Sequence, residues 1–196
     1  MKLLLLFVSI CTSITLHAQQ HLRYPVRRTY TFTGGSLALA ESIDSITQKK
    51  DTLHFNIQAV CYNDKSEKLW EMNDHILDSE YETSIWFWTK FCDVKDLDGD
   101  GLVDPVIVYG SNGMNGRSDG RMKILIYYKG KKYAIRHQDS EMDEGRYTEI
   151  DASFYTLPQP IQKHIRSLMK RIYDADLTIL AFDFQQQMDK KKTDIR

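Results

Sequence analysis

Between residues 53 and 62 the chain alternates. Leu53, Phe55, Ile57, Ala59 and Cys61 share one face, and His54, Asn56 and Gln58 the other. A period of two marks a half-buried strand. Similar runs predict strands at 28–33, 68–72, 84–92, 105–109, 121–129 and 131–137. Turn chemistry separates them at Gly34-Gly35, Asn63-Asp64-Lys65 and Lys129-Gly130, the last a tight-hairpin signal. Residues 36–48 fit neither the strand nor the helix period. Residues 73–83 and 138–148 read as acidic loops, and 93–104 as a turn-rich stretch. Residues 110–120, with four Gly and two Asn, read as a long flexible loop.

The period changes once. Ile161, Ile165, Leu168, Met169 and Ile172 form a helical stripe just after Pro158 and Pro160. The opposite face carries Lys163, His164, Arg166, Lys170 and Arg171, which reads as a solvated basic face. Residues 189–196 (DKKKTDIR) read as a flexible tail. Strands first and one good helix last predict an α+β chain. The expectation is a mainly antiparallel β-sheet with a C-terminal amphipathic helix, in one domain spanning 19–188.

Composition narrows the function classes. The 196 residues hold 26 Lys+Arg and 27 Asp+Glu, a formal net charge of −1, which argues against nucleic acid as a partner. The start of the chain reads as an export signal: positive at Met1-Lys2, apolar over 3–10, and ending in a small residue at Ala18. The predicted segment is a signal peptide over 1–18, cleaved near Ala18, giving a periplasmic or secreted protein with no transmembrane segment in the mature chain. Cys11 follows Ile10 rather than a small residue, which argues against lipidation. Cleavage leaves Cys61 and Cys92, either a disulfide in an oxidising compartment or two buried thiols.

One motif carries chemistry. Residues 96–104 read Asp-Leu-Asp-Gly-Asp-Gly-Leu-Val-Asp. Carboxylates at alternate positions of a tight loop can turn towards one centre. Asp96, Asp98 and Asp100 occupy positions 1, 3 and 5, and Gly101 permits the reversal. Leu102 offers its backbone carbonyl at position 7, and Asp104 an oxygen at position 9. An all-oxygen set in a flexible loop suits Ca²⁺ better than Mg²⁺, which prefers rigid octahedral geometry. Crowded carboxylates repel, so the loop is expected to be strained or disordered without a cation. Asp93, just upstream, is a candidate outer ligand. The loop is not a complete EF-hand, because position 12 is Ile107 in place of Glu.

Strand-like flanks on both sides make the stretch from Phe91-Cys92-Asp93 to Val108-Tyr109-Gly110 resemble the calcium loop of FG-GAP and VCBS repeats, the integrin type. That resemblance implies Ca²⁺ held by Asp96, Asp98, Asp100 and Asp104 with the Leu102 carbonyl. It covers one repeat, so a propeller is excluded. The wider run from Trp88 to His137 looks like small exported proteins of Bacteroidetes-type bacteria, sometimes labelled as linked to surface polysaccharide. This implies a setting at the cell envelope.

No nucleophile elbow, zincin helix or phosphate loop is present. His137 with Asp139, Glu141, Asp143 and Glu144 forms a polar cluster of the kind a hydrolase would need in a cleft. Trp86 and Trp88 share one face of a strand and, with Trp70, could stack on sugar rings. The leading expectation is an exported calcium-binding module, with Ca²⁺ as its cofactor, supporting interaction with a glycan or an envelope protein. The alternatives are an envelope polysaccharide or peptidoglycan hydrolase, and a protein-interaction domain with purely structural calcium.

Overall fold

A computed structural model describes residues 22–196; the expected signal peptide lies outside them. The fold is mainly antiparallel β-sheet with a C-terminal helix, as the order of periods predicts. The chain divides into two compact units, the first ending at His75 and the second running from Ile76 to Arg196.

The first unit is a four-stranded antiparallel sheet. Its strands are β1 (Val26–Phe32), β2 (Gly35–Glu41), β5 (Asn56–Asn63) and β6 (Lys68–His75), in the order β1-β2-β5-β6. A separate ribbon pairs β3 (Ser45–Ile46) with β4 (Thr52–Leu53). The ambiguous 36–48 stretch thus holds a core strand. Leu37, Ala38, Leu39 and Ala40 are all buried, so the alternation that reveals a one-sided strand is missing. In β5 the polar face is buried as well. Gln58 is fully buried, donating from Nε2 to Glu71 Oε1 (2.8 Å) and accepting from the Arg23 backbone N–H (2.8 Å). A buried amide needs such partners to offset its lost water.

The second unit is built on β7 (Glu82–Phe87), β8 (Asp93–Lys95), β9 (Asp104–Gly113), β10 (Arg121–Tyr128), β11 (Lys131–Gln138), β12 (Tyr147–Ile150) and β13 (Asp194–Ile195). The order is β13-β12-β11-β10-β9-β7, with β8 also paired to the first residues of β9. Helix α1 (Gln159–Asp174) follows β12, and a short helix α2 (Phe184–Asp189) precedes β13. All five residues of the α1 stripe are fully buried. Its C-terminus closes by a Schellman arrangement. Asp176 takes the left-handed φ of 56°, and the Leu177 N–H reaches back to the Ile172 carbonyl.

Three loop expectations change. Residues 110–113 extend β9, leaving only 114–120 as a loop, because Gly110 and Gly113 sit where a Cβ would collide with neighbouring atoms. Strand β12 (Tyr147–Ile150) begins within the last residues of the stretch expected to be an acidic loop and runs past it. The expected flexible tail is instead docked. Asp194 and Ile195 pair with Glu149 and Thr148, Ile195 is buried, and the Ile150 N–H donates to the Thr193 carbonyl. A single apolar residue among Lys and Asp leaves no readable period, yet one buried isoleucine and a few ladder bonds suffice to dock an edge.

Cys61 and Cys92 are free and buried. Burial pushes the Cys61 thiol up to about 11. Cys92 Sγ accepts from the Val108 N–H at 3.3 Å. Both therefore fit the buried-thiol alternative.

Candidate metal centre

The acidic motif is the loop of the β8–β9 hairpin. Lys95 pairs with Asp104 as the last rung, and residues 96–103 make the turn. Gly99 and Gly101 have φ of 83° and 86°, a region that L side chains seldom enter, so glycine at both positions lets the loop reverse. The loop's own carboxylates hold its backbone. Asp96 accepts from the N–H groups of Gly99 (2.7 Å) and Gly101 (2.8 Å). Asp98 accepts from Asp100 N–H (3.2 Å), Asp100 from Leu102 N–H (2.9 Å), and Asp104 from Leu97 N–H (2.9 Å).

Asp96, Asp98 and Asp104 converge, each offering an oxygen within 4.8 Å of the other two. Oxygens on opposite sides of one Ca²⁺ are about 5 Å apart, twice the usual bond length, so this spacing fits a single ion. Asp96 is exposed, Asp98 half-buried and Asp104 buried. Asp100 stands outside that trio, its carboxylate paired with the Lys129 ammonium at 2.9 Å. The Leu102 side chain faces water. Asp93 does not join the trio; its Oδ2 lies 2.8 Å from His164 Nε2 on α1.

The electrostatics are uneven. Hydrogen bonds from Gly101 and Gly99 hold the Asp96 carboxyl below its ordinary value. The Lys129 ammonium does the same for Asp100. Asp104 goes the other way. Burial, reinforced by the charges of Asp98, Asp100 and Asp96, pushes it up to about 6. A carboxylate forced into a buried, anionic corner is stabilised by whatever positive charge reaches it. The donor set therefore suits a hard, oxygen-seeking cation. Asp96, Asp98 and Asp104 would hold it, and Asp100 and the Leu102 carbonyl lie on the same loop.

The β10–β11 hairpin supplies residues that sequence reasoning did not connect to this loop. Tyr128 Oη donates to Asp98 Oδ2 at 3.0 Å, and Lys129 is the partner of Asp100. Both belong to the tip recognised as Lys129-Gly130, but nothing in the spacing shows that this tip meets the acidic loop. Their contacts supply order that the sequence reading assigned to the cation alone.

The structure separates the other candidate residues into buried and exposed sets. His137 is buried between Thr148 Oγ1 (2.7 Å from Nδ1) and Asp139 Oδ1 (3.0 Å from Nε2). The same Asp139 oxygen accepts from Thr178 Oγ1 (2.9 Å) and from the Ile179 N–H (2.6 Å). This network ties the segment after α1 to the sheet. Glu141, Asp143 and Glu144 point to solvent. A cleft of about 480 Å³ along α1 is lined by Gln159, Gln162, Lys163, Arg166, Lys170 and Gln185, among others, and brings no carboxylates together. Trp88 is buried over Gly110, where an added Cβ would lie 2.4 Å from its ring, while Trp86 is only partly exposed. Their ring centroids are 6.5 Å apart and tilted by 46°, which is not a flat platform.

Comparison with family models, with curated proteins and with solved structures finds no match.

Proposed function

We propose that the protein is an exported Ca²⁺-binding module acting at the cell envelope, in the periplasm or outside the cell. The convergence of Asp96, Asp98 and Asp104 at the turn of a strand–loop–strand hairpin carries this reading. The raised Asp104 carboxyl supports it, because a divalent ion would relieve the repulsion that burial concentrates there. The placement of the loop between two antiparallel strands is in keeping with its FG-GAP and VCBS likeness, and the export signal that the sequence predicts over residues 1–18 supports export. In this reading calcium fixes the shape of the loop, and the loop with its neighbours presents a surface to a glycan or an envelope protein.

The test is thermal unfolding with and without metal. Calcium at about 100 times its dissociation constant should stabilise the folded state by about 2.7 kcal/mol, a shift of several degrees in Tm. EDTA should reverse the shift in metal-loaded protein. The double variant D96A/D98A should remove the calcium response. Identical melting curves for wild type in calcium and in EDTA would end this reading.

A further inference from the structure

We propose that Lys129 is an internal competitor at the cation loop: its ammonium neutralises Asp100 and must give way for Asp100 to turn onto a bound divalent ion. This inference rests on the Ca²⁺ reading of residues 96–104. It assigns to the β10–β11 tip the control of affinity.

The geometry behind it is specific. Lys129 and Gly130 have φ of 47° and 73°, the pair of left-handed residues that makes a two-residue type I′ turn. That turn fixes the register of Tyr128 opposite Lys131 and sets the tip against the acidic loop. Lys129 Nζ lies 2.9 Å from Asp100 Oδ2, and Tyr128 Oη lies 3.0 Å from Asp98 Oδ2. Two consecutive residues thus occupy oxygens of two motif carboxylates. Asp96, Asp98 and Asp104 meet, and Asp100, the one held by the ammonium, stands apart.

The exchange is physically accessible. The Lys129 side chain is 53% exposed, so once freed it passes into water with little desolvation to undo. An exposed ion pair is weak, and a divalent ion among several carboxylates outcompetes one ammonium. Lys129 would therefore lower affinity without abolishing binding. It also leaves Asp100 neutralised until an ion arrives. When the ion binds, the tip loses its hold on Asp100, so the loop and the β10–β11 turn respond to calcium together.

Isothermal titration of the chelator-stripped protein with Ca²⁺ alone tests this. K129Q keeps the chain length and loses the charge. It should bind about two- to tenfold more tightly than wild type, the range for losing an exposed competing pair and a nearby positive charge. K129R should return to within about twofold of wild type, because the competing charge is restored. The K129Q advantage should shrink in about 1 M salt, because a solvent-exposed ion pair is weakened by added ions and the longer-range repulsion between the ammonium and the metal is screened. Labelling of Lys129 by an amine-reactive ester, read by mass spectrometry, should rise when calcium is added to wild type. If wild type binds calcium and K129Q binds no more tightly, Lys129 is not a competitor and this inference fails while the Ca²⁺ reading stands. Should neither protein bind calcium, the Ca²⁺ reading itself fails and takes the inference with it.

Discussion

Asp104 is a carboxyl buried at the foot of the acidic hairpin, raised to about 6 from 3.8. An acid whose pKa is raised by folding holds its proton more firmly in the folded state. Its contribution to stability is therefore present below 3.8 and is lost as pH rises through about 6. His164, lowered by burial, acts in the opposite sense, with stability lost as pH falls below its ordinary value of 6.5. Wild type alone would show the sum of these two and of the carboxyls that folding holds low, among them Asp96, Asp100 and Glu71. D104N keeps an oxygen for the Leu97 N–H and removes the charge. In EDTA it should melt higher than wild type at pH above 6, by about 3–5 °C for each kcal/mol of repulsion relieved in a unit of this size. The gap should close as pH falls towards 3.8. Equal Tm values across the whole range would show that Asp104 feels no repulsion. In calcium the order should reverse, because only wild type keeps the ligand.

At the scale of elements, the docked end of the chain is the most direct test of the fold. Ile195 is 1% exposed at the edge of the larger sheet. Truncating such a side chain to alanine costs about 2–5 kcal/mol. I195A should therefore lower the urea midpoint clearly, whereas a frayed end would leave it unchanged. Residues 189–196 were unreadable because a run of Lys and Asp looks the same whether or not one isoleucine is anchored. Helix α1 was legible, since five apolar residues at helical spacing admit one face. The hairpin of β10 and β11 was legible for a similar reason, with Lys129-Gly130 marking a tight turn between two long alternating runs. Strand β2 was not, because Leu37 to Ala40 are buried without alternation. The acidic loop lay between these cases. Spacing identified its carboxylates, but the pairing of Asp100 with Lys129 and of Asp98 with Tyr128 depends on contacts between hairpins distant in sequence.

For the whole molecule, the near-zero net charge conceals a concentration of acidic charge. Five Asp fall within residues 93–104, all in the second unit. Calcium should then act on that unit alone. Hydrogen exchange compared in calcium and in EDTA should change at 93–113 and around the 128–131 turn, and stay constant across 26–75. Slowed exchange throughout the first sheet would mean that the ion controls more than its own hairpin.

The pairing of β13 with β12 has a consequence in time. The strand that finishes the larger sheet lies far along the chain from β12, so β12 keeps an open edge until Asp194 and Ile195 return to it. That edge depends on a contact between residues far apart in sequence, so it closes after the β10–β11 hairpin, whose partners are neighbours along the chain.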